Sequence, residues 1–399
     1  MNREVRDEDA ARLSYGAGCS AMHNKFLKNN FDLIRLFAAF QVAIGHVFNV
    51  LEIKTAWMGS FILHILYLFP GVPIFFFISG FLISRSYENN SCLKEFFINR
   101  VLRLYPGLIV CVAFSIVLVM LSGYLQGRGV QWYELAALFL EKITFFQFYN
   151  PEFLRAYGDG VLNGSLWTIT VEIQFYLLIP VMFFILSRKP TNCTANCALV
   201  VLTVLFFILN RLYAVLPDMV EKSLITKLIK VSFFPWFYIF LLGVLAQRNF
   251  EFFHAYLAGR FYVIFPIYLV SAYMLPKIGS GFGDNSNPVV VVLLLVTVFS
   301  FAYSMPALSA KVLKGNDMSY GIYIYHLPVV NLLLYNGLYR KAEYGFVALI
   351  GSILLAAISW LLIEKPALRL KRHPLFTVSV RTLSDNPVEP VPSRNAKGQ

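Results

Sequence analysis

Residues 31–51 read FDLIRLFAAFQVAIGHVFNVL. Twenty-one residues of α-helix rise about 30 Å, the thickness of the hydrocarbon layer of a bilayer. Asp32 and Arg35 stand at the start, His46 stands near the other end, and no ionisable residue separates Arg35 from His46. The stretch reads as a transmembrane helix with polar groups toward both ends.

Nine further apolar blocks of similar length follow, at approximately 61–84, 104–123, 164–187, 196–216, 231–247, 261–276, 288–306, 319–337 and 345–363. The expected fold is therefore all-α, a polytopic integral membrane protein with about ten transmembrane helices. Composition agrees: 58% of the 399 residues are hydrophobic and only 14% are charged, whereas a soluble domain carries charge on roughly 25%. The formal charge of +12 does not mark a nucleic-acid partner, because the Lys and Arg lie between apolar blocks and form no basic domain with interleaved aromatics. Ten crossings put both termini on one side. Assigning that side to the cytoplasm places 22 Lys and Arg inside and 11 outside, as the positive-inside rule favours. Arg211, Lys222, Lys227 and Lys230, all in the outer loop 211–230, run against that assignment.

The chain divides into a cytoplasmic N-terminal segment (1–30), a transmembrane domain (31–370) and a polar, proline-containing tail (371–399) that is expected to be disordered and cytoplasmic. The first thirty residues mix charges of both signs without an apolar core, so no cleavable signal peptide is expected. The longest connection, 124–163, is expected outside; its stretch Leu135–Tyr149 is apolar enough to lie in the interface or re-enter the protein. Cys19, Cys92, Cys111, Cys193 and Cys197 have no metal-ligand spacing, and no metal is expected. No internal repeat is visible, which counts mildly against inverted-repeat transporters.

An ionisable side chain inside a membrane helix costs at least roughly 2.5–3.5 kcal/mol, so each is a functional candidate. Eleven residues at 100° per residue bring Arg35 and His46 to within about 20° of one face, roughly 16 Å apart along the axis. A ligand with an anionic head and a reactive end about 15 Å deeper fits that face, as a coenzyme A thioester does. The plain alternative is that Arg35 snorkels to the interface and His46 bonds a neighbouring helix. Arg100 and Arg103 share a helix face and can grip phosphate oxygens, or serve as ordinary anchors. Glu172 follows SLWT at 165–168 and lies at a depth comparable to His46, where it can orient and steady the imidazole or form a structural ion pair. In SYGIYIYHLP at 319–328, Pro328 frees the carbonyl of Ile324 and His326 is placed to cap it. FFFISGFL at 75–82, which contains Ser79, ends its helix with small residues suited to close packing. EKP at 364–366 closes the last helix.

Taken in order, Arg35 and His46 within FDLIRLFAAFQVAIGH, the FFFISGFL run, INRVLRLYP at 98–106, SLWTITVE at 165–172, SYGIYIYHLP and the final EKP resemble the membrane-bound acyltransferase-3 family of bacterial surface-carbohydrate O-acyltransferases. The resemblance implies acyl transfer from cytoplasmic acyl-coenzyme A, acetyl by default, to a hydroxyl of an extracytoplasmic glycan such as O-antigen or exopolysaccharide, free or lipid-linked. It implies His46 as the catalytic histidine with Arg35 and Glu172 beside it, and Arg35, Arg100 and Arg103 as coenzyme A-phosphate contacts. Asp32, Ser79, Trp167, Tyr320 and His326 are expected to support substrate or structure. The implied location is the bacterial inner membrane, in contact with lipid and with glycan-assembly proteins; a fused esterase-like domain is not expected in a chain of this length. The competing readings are a transporter or flippase for an anionic or lipid-linked sugar, and a scaffold subunit without catalysis.

Overall fold

The computed structural model describes residues 26–54, 57–188, 191–214, 228–229, 231–275 and 287–372. The N-terminal segment up to residue 25 with Cys19, the loop residues Lys222, Lys227 and Lys230, and the tail beyond 372 lie outside the described residues.

Among the described residues the chain is helical throughout. The helices are α1 (Phe31–Val50), α2 (Trp57–Tyr67), α3 (Gly71–Asn89), α4 (Leu93–Leu121), α5 (Trp132–Ile143), α6 (Trp167–Ser187), α7 (Asn192–Ala214) and α8 (Phe237–Arg248). They continue with α9 (Phe250–Leu257), α10 (Phe261–Met274), α11 (Pro288–Ser304), α12 (Leu308–Leu313), α13 (Ser319–Tyr335), α14 (Ala342–Ser359) and α15 (Lys365–Arg369). Each apolar block of the sequence holds a helix. By length and apolarity six helical runs can cross a membrane, and the bent pair α9 and α10, at 89°, makes a seventh if it is one span. Large apolar side chains such as Phe346, Ile350, Leu354 and Leu362 stand exposed along α14 and its continuation, an arrangement stable in lipid and not in water. The protein is a multi-pass membrane protein.

One departure from the sequence reading has a local cause. The second block is broken at Leu68–Pro70, because Pro70 and Pro73 start a new helix there and supply no amide donor to the old one. Gln41 of α1 caps that new start, its Oε1 accepting from the Gly71 amide at 2.8 Å. A Cβ at Gly71 would lie 2.5 Å from the Ala38 carbonyl oxygen, so only glycine lets α3 begin against α1. The connection 124–163 contains α5, whose 12 residues rise about 18 Å, too short to span. It shows Trp132, Tyr133 and Leu140 at its surface.

The core is organised by α3 and α8, which meet through two glycines. A Cβ at Gly80 would fall 2.0 Å from the Phe240 carbonyl oxygen, and one at Gly243 would fall 2.2 Å from that of Phe77. The reciprocal fit lets two backbones touch, as small residues do at membrane helix crossings. At the centre stands α13, with 12 of its 17 residues buried, whereas α10 buries only Tyr268 and faces outward. Pro328 leaves the Ile324 carbonyl without its helical donor. Asn163 Nδ2, at 2.8 Å, and Cys111 Sγ, at 3.2 Å, take its place. The Asn163 side-chain oxygen also accepts from the Ser165 amide at 3.2 Å. One asparagine thus ties the start of α6 to the kink of α13.

Candidate active site

A cavity of about 410 Å³ lies at the end of the bundle where α1 and α13 begin. Its polar part gathers Asp32 and Arg35 from α1, Arg100 and Arg103 from α4, Asp317 from the turn before α13, and Lys371 from just beyond α15. Along α3 its wall runs from Ile83 past Ser79 to Phe75 and Val72, which is about 16 Å of helix. Phe75, Thr168 and Tyr323 also line the cavity.

The cations of the cavity are not equivalent. Arg103 is paired with Asp317, and Asp317 also accepts from the Ser319 amide at 3.1 Å. Burial works to raise the Asp317 carboxyl, but the adjacent Arg103 guanidinium overrides it and holds the group at about 2. Arg35 stands 3.8 Å from Asp32. Arg100 donates to Ser86 Oγ at 2.7 Å and lies over the rings of Phe96 and Tyr176. Its buried Nε has no hydrogen-bond partner, and among the described residues it makes no ion pair. A buried guanidinium left this way is the group most in need of an anionic ligand. Burial, with Arg100 and Arg103 nearby, pulls the Lys371 amine down to about 8.

Beyond Tyr323 stand two histidines that do not line the cavity. His46 Nδ1 and His326 Nε2 are 2.8 Å apart, with the rings stacked at 5.1 Å between centroids. His326 is fully buried and His46 half-buried. Tyr323 separates them from the cavity: its ring lies 6.1 Å from that of His326 and 5.6 Å from that of Phe75, and its hydroxyl is 2.7 Å from Thr168 Oγ1. Among the described residues no cluster of three or more His, Cys, Asp and Glu is placed to hold a metal ion.

The family described as an acyltransferase domain, acyltransferase-3, matches residues 28–364. The chain belongs to the acyltransferase-3 family. This acyltransferase is similar to Nodulation protein 10 of Rhizobium leguminosarum bv. viciae, 32% identical over 89% of this chain and 97% of that protein. It is similar to the O-acetyl transferase of Shigella phage Sf6, 23% identical over 84% of this chain and 95% of that protein. It also resembles the peptidoglycan O-acetyltransferase OatA of Listeria monocytogenes, 29% identical over 31% of this chain and 21% of that protein. No solved structure matches it.

Within this acyltransferase the residues singled out by sequence fall into two groups. Asp32, Arg35, Ser79, Arg100, Arg103, Glu172 and Tyr320 all line the cavity; His46, His326 and Trp167 do not. Glu172 is not the partner of His46: its carboxylate accepts from Tyr176 at 2.6 Å and Ser79 at 3.2 Å. Depth along two helices was comparable, but the turn of α6 aims Glu172 at α3 and the cavity, and His46 meets α13 instead. His326 is likewise not the cap of Ile324; its Nδ1 lies 3.2 Å from the Ile322 carbonyl. Tyr320 donates to the Leu104 carbonyl at 3.0 Å and pins α13 to α4. Trp167 packs on Trp236 at 5.2 Å. Asp317, Tyr176, Trp360 and Lys371 also line the cavity and were not singled out. Lys371 opens the tail 371–399 that is expected to be disordered, but the structure places it in the helical turn Leu370–Arg372 against the cavity.

Proposed function

We propose that this acyltransferase moves an acyl group, acetyl by default, from acyl-coenzyme A at the cytoplasmic face of the bacterial inner membrane to a hydroxyl of a carbohydrate on the other side. The observation that carries the reading is the cavity: a polar mouth holding Arg35, Arg100, Arg103 and Lys371, and about 16 Å of wall leading to the tyrosine beside the His46–His326 pair. Phosphates seat on the mouth cations, and the pantetheine arm runs along α3. Two relatives, an O-acetyl transferase and a peptidoglycan O-acetyltransferase, support oxygen as the acceptor atom. The acyltransferase unit is taken as residues 31–370, between the cytoplasmic segments 1–30 and 371–399.

In the reaction His46 accepts the proton of the acceptor hydroxyl as its oxygen attacks the thioester carbonyl. The carbon–oxygen bond forms, the carbon–sulfur bond breaks, and His46 returns the proton to the departing thiolate. The products are an O-acyl ester and free coenzyme A. The test uses sealed vesicles carrying the protein and radiolabelled acetyl-coenzyme A, which does not cross the bilayer. Label should enter surface polysaccharide only when the donor reaches the face bearing Arg100. Transport of intact sugar without consumption of donor would instead establish the flippase reading.

Lys371 gives the donor site a pH signature. The amine is charged below about 8 and neutral above it, so phosphate binding weakens as pH rises. KM for acetyl-coenzyme A is expected to climb about tenfold between pH 7 and 9, since a charge-assisted hydrogen bond is worth roughly 1.5–3 kcal/mol. In Lys371→Arg the same titration should be flat. A climb of equal size in the variant rules the lysine out.

A further inference from the structure

We infer that His326 is a positioning residue which fixes the tautomer of His46 and leaves His46 Nε2 as the nitrogen that takes the acceptor proton. The inference rests on the acyl-transfer reading above and deepens it.

The argument is one of hydrogen counting along a chain of three groups. The Ile322 carbonyl oxygen can only accept, so at 3.2 Å His326 Nδ1 carries the hydrogen. A neutral imidazole has one N–H, so His326 Nε2 is bare and accepts. His46 Nδ1, 2.8 Å away, is then the donor, and the single hydrogen of the His46 ring is spent there. His46 Nε2 is left with its lone pair.

The other arrangement needs a charged His326 donating from both nitrogens. A fully buried imidazolium in a membrane interior requires an anion. Among the described residues no carboxylate lies within ion-pair distance of either ring. Glu172, the carboxylate expected here, is held by Ser79 and Tyr176.

The same chain serves the charged intermediate. When His46 Nε2 takes the acceptor proton, its Nδ1–H bond to His326 becomes charge-assisted and strengthens. His326 is backed by the Ile322 carbonyl, so the positive charge is met by a bare nitrogen and a carbonyl dipole, with no carboxylate in contact.

The test compares His326→Gln with His326→Leu in reconstituted vesicles. Glutamine places Oε1 where Nε2 stood and still accepts from His46; leucine fills the space and accepts nothing. His326→Gln should keep kcat within about fivefold, and His326→Leu should lose about a hundredfold in kcat with KM for acetyl-coenzyme A unchanged, in line with the worth of a placed general base. Nitrogen-15 spectra of the histidine-labelled wild type give a readout independent of turnover: the His46 resonances should report a protonated Nδ1 and a bare Nε2. Equal activity in the two variants, or a protonated Nε2 on resting His46, overturns the inference. If His46→Ala itself retains full transfer, the acyl-transfer mechanism through His46 fails, which is a separate result from the failure of His326 alone.

Discussion

Replacing His46 with alanine is expected to lower kcat about a thousandfold while leaving KM for acyl-coenzyme A within about twofold. The rate falls because a positioned general base contributes about 10²–10⁴, and oriented substrates retain the rest of the acceleration through proximity. KM holds because Arg35 lies roughly 16 Å away along α1 and the other mouth cations, Arg100, Arg103 and Lys371, stand on other segments. The fold should survive: His46 is only half-buried, and the loss leaves one buried acceptor, His326 Nε2, unsatisfied at about 1–3 kcal/mol. Initial rates at saturating acetyl-coenzyme A decide the point, and a rate within tenfold of wild type would falsify the histidine mechanism.

Asp317→Ala is expected to cost about 3–5 kcal/mol of stability, the range for removing one member of a buried pair. Asp317 is 8% exposed, so its loss strands the Arg103 guanidinium without a counter-charge. It also removes the acceptor for the first amide of α13, a helix with 12 of its 17 residues buried. The double replacement Arg103→Met with Asp317→Leu should recover most of that stability, because apolar groups need no partner, yet raise KM for the donor. Thermal unfolding in detergent separates the two effects; a single variant that melts with wild type would refute the pairing. The pH dependence has a definite sign. The carboxyl is held near 2 when folded against an ordinary 3.8, so its contribution is complete above about pH 4 and fades as pH falls toward 2.

The apolar blocks were legible because the bilayer imposes a length on every crossing, and each block holds a helix. The breaks within them were harder. PGVP at 70–73 punctuates a run that hydropathy alone joins, and the 89° bend between α9 and α10 turns at Gly259, whose φ is +78°. Helical periodicity placed Arg35 and His46 on one face of α1, but it cannot say which neighbouring helix that face meets. The expected pairing of His46 with Glu172 failed on this point: matching depth leaves the azimuth of α6 free. Asp317 was overlooked because it lies in a turn, where a carboxylate is ordinary, and only folding brings it to Arg103. The free carbonyl of Ile324 was foreseen from Pro328, but its donors, Asn163 and Cys111, come from segments more than a hundred residues away.

The aromatic partition formed by Phe75 and Tyr323 has a consequence for the cell's energy economy. An enzyme reached from both faces of a membrane contains, in outline, the two halves of a pore. A continuous thread of water between them would conduct protons and discharge the potential that powers the cell. Two rings 5.6 Å apart, backed by the Tyr323 hydroxyl on Thr168, stand across that thread. The proposed transfer across the bilayer calls for such a barrier in a membrane that must stay charged.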